Sequence, residues 1–598
     1  MKKLLFSLLT LAMLITLVAC DNGGDDAVTT AEATEAVTEA ITEALDATEV
    51  STNEDSTVAP SESTATAETT AATETTEAVA TTEAVTTEEA TTEEVTTAEP
   101  DVMIDVMLDA PYAEDFTVSK VFGSDMVVQR GERLRVWGWA DESENGKKVS
   151  AEFMGMFSEA IIEDGKWTIT FKARLDACAD LGNTMKIYTD KKTVEFNDVL
   201  VGDVYMVIGQ SNVAYKVSQH QDYYGNSAKG GADVLDYNAP IRIHYNTKYD
   251  SIWYPEKYPG YGSDGVSEDL PSGRKWERPD KQNLVNFTAI GYFFAHHVIE
   301  MNGYDVPVGI IEIDGNGNCL GTFMSNEVAE SQGTDKYDET KGYYVTTGIG
   351  DDHGRYMYNN HIYPFRNYAL AGIIWYQGES DSDPGNREKF ATDFTALMTY
   401  MRSTHNVTNP NFPVYVMEFP SLTRSFDLGP IRAMAGQIPQ MLENSYYCVS
   451  SDLWSDFTYK DCLHPHCKYE QGERLAKLAA AAHMNTMSLA EATGPIFESI
   501  EFSNDGKTAV IKFKNCGEGL TTCDGGVNVK GFVGIAKRSS SKVTVTATIT
   551  GTDTITITST TAINEVAYNC VSENFYGKEI NLCNSYGNPA AAFWAKID

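Results

Sequence analysis

Apolar residues follow different rhythms along this chain, and each predicts a different kind of element. Between residues 116 and 198 apolar and polar positions alternate over short runs: Leu134–Trp139, Val149–Phe153, Trp167–Phe171 and Met185–Tyr188, with Gly and Asp clustered between them. Successive side chains of a strand point to opposite faces, so this rhythm predicts a small antiparallel β-domain. Residues 491–598 behave alike: Ala509–Phe513, Val543–Ile549 and Thr554–Ile557 are rich in β-branched residues and separated by Gly-bearing turns. They predict a second, β-sandwich-like domain. From 199 to 490 the alternation vanishes. Val204–Ile208, Val306–Ile313, Ala371–Tyr376, Pro413–Phe419 and Tyr447–Val449 are continuous apolar runs, as strands buried on both faces are. Thr288–Met301 and Tyr469–His483 carry helical spacing between them. Strands alternating with helices predict an α/β domain with a parallel sheet covered on both faces. In such sheets ligands sit beyond the carboxyl ends of the strands.

Composition sets the first 115 residues apart. Lys2 and Lys3 precede an apolar run from Leu4 to Val18, shorter than the roughly twenty residues a membrane span needs, so residues 1–19 are expected to be a signal peptide. The run ends in Leu17-Val18-Ala19-Cys20, which resembles a bacterial lipobox with Cys20 as the lipidated residue; the competing reading is an ordinary secretory signal. Residues 20–115 are dominated by Thr, Glu and Ala, and no Lys or Arg occurs between Lys3 and Lys120. Residues 21–115 hold 26 acidic side chains, more than half of the net charge of −41. A polar, self-repelling segment cannot offset its ordering entropy by burial, so a disordered linker is expected. Together these features place the protein outside the cell, anchored by lipid to the outer face of the cytoplasmic membrane. No basic patch points to a nucleic-acid partner. Of ten cysteines, nine remain beyond Cys20, an odd number that implies at least one free thiol or an intermolecular bond.

Polar, turn-forming clusters follow four of the apolar runs. They are Gly209-Gln210-Ser211-Asn212, Asp314-Gly315-Asn316-Gly317-Asn318, Gln377-Gly378-Glu379-Ser380-Asp381 and Asp461-Cys462-Leu463-His464-Pro465. A serine hydroxyl becomes a competent nucleophile when an imidazole takes its proton and a carboxylate orients that imidazole. Ser211, His464 and Asp461 fit these roles, the last two lying three residues apart on one loop. Backbone N–H groups of Ser211 and Gly317 and the side-chain amide of Gln377 are candidate donors to an oxyanion. Asn212, Tyr376 and Glu379, in the same clusters, are expected to touch the substrate. No cofactor or metal is called for.

Blander alternatives attach to each residue. Ser211 alone reads as a turn serine. Ser380 is a rival nucleophile, but neither serine fits the Gly-x-Ser-x-Gly elbow, since Val213 and Ser382 stand where its second glycine belongs. His466 competes with His464. Cys462, His464, His466 and Cys467 are possible zinc ligands, though tighter in spacing than a zinc ribbon. Glu379 and Asp381 invite a glycosidase pairing; the roughly 6–7 Å between them follows from strand rise alone.

The ordered set of motifs resembles the sialate O-acetylesterase family, within the SGNH hydrolases. Ser211 in Gly-Gln-Ser-Asn matches the first block, Trp375–Ser380 the third and Asp461–Lys468 the fifth, with flanking agreement at Phe122–Ala140, Phe287–Phe294, Val306–Ile311, Tyr358–Phe365, Gly472–Ala476 and Asn581–Phe593. The second block departs: Gly315-Asn316-Gly317-Asn318 stands where the family has Trp-Gly-Gly-Thr, with Asn316 in place of a glycine. The resemblance implies an SGNH-type three-layer α/β/α domain flanked by β-sandwich-like domains, and a serine esterase acting on acetylated carbohydrate without a metal. Sialic acid is the substrate the family name suggests. Acetylxylan or another plant polysaccharide is the alternative, and a non-catalytic glycan-binding protein is the competing class.

Overall fold

The computed structural model describes residues 103–224, 235–246, 266–271, 273–333, 335–338, 343–346, 355–405, 409–420, 427–453, 463–539, 541–570 and 579–596. The expected signal peptide, Cys20, most of the expected linker, and Asp461 lie outside them. The described part is a mixed α/β structure with parallel and antiparallel sheets.

The central sheet runs in the order Arg274–Glu277, Ile241–Asn246, Val308–Asp314, Leu200–Gly209, Gly372–Tyr376, Val414–Met417, Ser445–Cys448. All neighbours are parallel except the first pair. Every residue of Leu200–Gly209, Val308–Asp314 and Gly372–Tyr376 is buried, which is why no alternation marks these runs. Their side chains still alternate between two cores. Val204, Met206, Ile208, Ile373 and Trp375 join one apolar cluster, with the helices Pro384–Thr404 and Leu428–Ala435. Tyr205, Val207, Ile374 and Tyr376 join the other, with Ala289–Met301 and Lys468–Ala482. Each Ile or Val so buried contributes about 1.5–3 kcal/mol.

Leu200–Gly209 comes first in sequence among these strands yet sits mid-sheet, so the chain winds outward on both sides of it. Its carboxyl end is therefore a topological switch point, where a crevice opens between strand ends. Gly209 is required there for space: a Cβ would stand 2.1 Å from the Tyr376 carbonyl oxygen.

The amino-terminal β-region is not a separate body. Val127–Gln129 pairs in parallel with Leu200–Gly202, and Val136, Ile169 and Phe171 belong to the same apolar cluster as Trp375. A boundary at residue 199 cuts through that cluster. The expected linker also ends earlier than residue 115. Met103–Ile104 pairs with Met156–Phe157, the Leu108 N–H donates to Glu159 at 2.6 Å, and Ala113 is fully buried. The segment is held by backbone pairing and by the Glu159 carboxylate more than by apolar burial, since Met103, Ile104, Val106 and Met107 stay exposed.

Two four-stranded antiparallel sheets and a two-stranded one, Leu520–Thr522 with Leu582–Asn584, make the carboxyl-terminal region and share one core, with the Phe497 and Phe593 rings stacked at 4.6 Å. The run Val543–Ile549 is divided: Lys542–Thr544 pairs into one sheet and Thr546–Ile549 into the other. Buried Arg432 reaches from the α/β part to Asn569 at 2.8 Å.

Candidate active site

The carboxyl ends of three central strands are tied together. Gly315 N–H donates to Gly209 C=O at 2.8 Å, and Gln210 N–H to Tyr376 C=O at 3.3 Å. Leaving its strand through Gln210, the chain enters a short helix, Ser211–Ala214. Ser211 is the first residue of that turn and half-buried. An N–H at this position has no carbonyl one turn earlier to bond.

The neighbouring Asn212 is fully buried and links three loops. Its Nδ2 donates to Glu379 at 2.5 Å and to the Leu463 carbonyl at 3.2 Å, and its Oδ1 accepts from Lys468 Nζ at 2.7 Å. The nucleophile turn is thereby fixed to the residue immediately before His464. Lys468 is itself fully buried. Such an ammonium is costly unless hydrogen-bonded. Besides Asn212, it has Gln471 Oε1 at 3.3 Å and the rings of Tyr376 and Tyr215 at 4.9 and 5.4 Å. Gln471 in turn donates to the Tyr376 hydroxyl at 3.3 Å.

Asn212, Tyr376 and Glu379, expected to touch substrate, are instead among the most buried groups here, and their polar atoms hold the loops to one another. Burial raises the Glu379 carboxyl above its ordinary value, against the pull of Asn212 and Lys468.

His464 is half-buried at the crevice. Burial, then the charges of Lys468 and His466, pull its imidazole down to about 4, so at neutral pH it carries a lone pair able to accept a proton. His466 is turned away, its Nδ1 2.7 Å from the Tyr215 hydroxyl. Asp461 is outside the described residues.

Gly317 is exposed with a left-handed φ of 70°, a conformation glycine adopts without the Cβ penalty. Its carbonyl accepts from Ser380 Oγ at 3.0 Å. That bond gives the rival serine a task in shaping the glycine loop. Gln377 is fully buried, and its Nε2 donates to Asp381 at 2.6 Å and to Asn318 C=O at 3.0 Å. To reach an oxyanion the amide has to release one of these partners.

Glu379 and Asp381 turn to different loops. Asp381 accepts from the Leu320 N–H at 3.0 and 3.1 Å as well as from Gln377, and burial pushes it up to about 7. Both are almost fully buried, whereas a glycosidase pair flanks the bond it cleaves. Of the zinc alternative, Cys462 is outside the described residues. Cys467 is buried, its thiol pushed up to about 12, and His466 faces Tyr215. Sequence reasoning assigned no role to Lys468 or Gln471. The available signal was a lysine four residues after His464, on the turn that starts a helix.

Residues 201–481 match the family described as carbohydrate esterase, sialic acid-specific acetylesterase. This stretch is therefore similar to the carbohydrate esterases, and among them to the sialate O-acetylesterases. The sialate O-acetylesterase of Homo sapiens is 25% identical over 328 residues, covering 52% of this chain and 58% of that protein. The Mus musculus protein of the same name is 26% identical over 351 residues, covering 52% and 61%. The chain thus spans about three fifths of the length of the curated relatives it matches. A carbohydrate acetylesterase from Xanthomonas citri, 23% identical, aligns with a TM-score of 0.65 over 81% of this chain and 100% of its own. That likeness is one of fold.

Proposed function

We propose that the chain is a serine carbohydrate O-acetylesterase in which Ser211 Oγ attacks the acetyl carbonyl carbon. His464 takes the serine proton as the C–O bond forms, and Asp461 orients the imidazole. The oxyanion of the tetrahedral intermediate accepts from the N–H groups of Ser211 and Gly317, and from the Gln377 amide once it is released. Collapse of the intermediate expels the sugar oxygen, which recovers the proton from His464 and leaves acetyl-Ser211. Water attacks this ester with His464 again as base, and acetate departs. No metal has a part in these steps.

One observation carries the reading: Asn212 joins the Ser211 turn to the His464 loop through Leu463, at the switch point of the sheet. The family match and the named relatives support acetylated carbohydrate as substrate. In this reading the α/β part has the SGNH three-layer layout and the flanking β-regions are sandwich-like modules. The acidic stretch before residue 103 is a linker from a lipidated Cys20 on the outer face of a membrane.

The experiment is acetate release from O-acetylated sialosides and from acetylated xylo-oligosaccharides, by the native chain and by Ser211→Ala. Release from sialosides that is lost in the variant is the expected result. Release from xylo-oligosaccharides alone replaces the substrate and keeps the mechanism. Glycan binding without acetate release, or full activity in folded Ser211→Ala, overturns the proposal.

A further inference from the structure

Away from the strand-end loops, the helix Ala289–Met301 presents His296, His297 and Glu300 together. Glu300 lies four residues after His296 and three after His297, so its side chain is a helix-surface neighbour of both. Both imidazoles are only 6% exposed, while the Glu300 side chain is about half-exposed. The facing helix Lys468–Ala482 lays the Tyr469 ring against them, 4.5 Å from His297 and 6.3 Å from His296. The two imidazole centroids are 5.3 Å apart.

The separations suit a bound cation as well as direct contact. His296 Nε2 is 3.4 Å from one Glu300 oxygen and His297 Nδ1 is 3.3 Å from the other, the latter a hydrogen bond. Charge-assisted N–H···O⁻ bonds run to about 2.7–2.9 Å, so both contacts are longer than the strongest of that kind. Tetrahedral zinc with bonds of about 2.0–2.1 Å keeps its ligand atoms about 3.3 Å apart. One candidate atom from each of the three residues lies within 4.8 Å of the others. The surroundings favour a cation. Asp236 acts electrostatically on His296, and Glu473 on His297, each as a negative neighbour.

We propose that His296, His297 and Glu300 bind one divalent transition cation of the zinc class, with water completing the coordination. Two imidazoles and one carboxylate suit zinc and its neighbours over magnesium or calcium, which take oxygen ligands. The ion stiffens the helix face against which Tyr469 packs. This inference is independent of the esterase reading.

The test uses the full chain after chelation, titrated with ZnCl₂ and separately with MgCl₂, by calorimetry and by thermal unfolding. One equivalent of Zn²⁺ is expected to bind at micromolar Kd or tighter and to raise Tm, with no response to Mg²⁺. His297→Gln and Glu300→Gln are each expected to weaken binding at least tenfold. His466→Gln, in the loop that carries His464, is expected to leave it unchanged. Glu300 is exposed enough that its variant tests the site even where His297→Gln fails to fold. Absence of Zn²⁺ binding, or binding that survives Glu300→Gln or disappears in His466→Gln, overturns the proposal.

Discussion

The side-chain amide of Asn212 donates to the backbone carbonyl of Leu463 at 3.2 Å, across 251 residues of sequence. The residue after the candidate nucleophile thus holds the residue before the candidate base. Neither loop could shift relative to the other without breaking this partly buried hydrogen bond, and where water is kept out such a break costs part of the desolvation of the group left behind.

Asn212→Ala removes the shared partner of Glu379, Leu463 and Lys468 at once. The buried ammonium loses its shortest contact, and about 2–4 kcal/mol of stability is expected to go with it. Acetyl-ester hydrolysis should fall at least tenfold at temperatures where the variant is still folded, and mainly in kcat, because the lesion is in alignment. Chemical denaturation and steady-state kinetics of the same preparation check both parts.

Ser380→Ala separates the two serines. Ser380 shapes the glycine loop through its bond to the Gly317 carbonyl, so its loss should reduce kcat several-fold with little change in Tm. Ser211→Ala should lower kcat by roughly ten-thousandfold or more, the scale at which a lost nucleophile acts. Comparable losses in the two variants, measured as acetate release, would reverse their assignment.

How far the sequence discloses this molecule depends on the distance between interacting residues. Val204–Ile208 and Ala371–Tyr376 were legible because a strand covered on both faces has to be apolar at every position. Ile241–Asn246 and Arg274–Glu277, at one side of the same sheet, carry Arg, His, Lys and Glu and do not follow that rule. Their apolar members are too few to outvote the charges. The helix Pro384–Thr404 buries Phe390, Phe394, Leu397, Met398 and Met401 at helical spacing, yet it opens on Pro-Gly-Asn-Arg-Glu-Lys, which reads as a loop. At the site, Ser211 and His464 stood out as candidates from residue type and order. The network beneath them did not. Asn212 and Lys468 are 256 residues apart, and no local pattern announces that a lysine will be buried against an asparagine. The assignment of Asn212, Tyr376 and Glu379 to substrate contact followed from adjacency in sequence, whereas tight packing at the switch point turns these side chains inward.

Gly209→Ala tests that packing directly. The new methyl would meet the Tyr376 carbonyl oxygen at 2.1 Å and Val213 Cγ2 at 2.6 Å, and backbone on one side leaves it little room to yield. Overpacking of this kind costs about 1–3 kcal/mol or more. A Tm lower by several degrees is expected, together with a larger fractional loss of esterase activity than an equally destabilising change in the carboxyl-terminal β-region, such as Ile555→Val. Equal losses at equal destabilisation would detach Gly209 from the site.

The pH dependence follows from His464. The imidazole accepts the serine proton only when neutral, so activity is present above its pKa and is lost as pH falls through it. Burial and the neighbouring cation Lys468 hold that value at about 4, below the ordinary 6.5. The acid limb of kcat/KM, which reports the free enzyme, is therefore expected near pH 4, with activity nearly level from pH 7 to pH 5. Lys468→Met is close in shape and removes one of the charges that disfavour the imidazolium. Its acid limb should move upward, toward the ordinary imidazole range, in addition to any loss of kcat from the weakened Asn212 contact. A limb that stays in place in the folded variant would mean that burial alone sets the base. A wild-type limb at 6.5 would mean that a negative neighbour, Asp461 in the proposed triad, offsets the burial of His464.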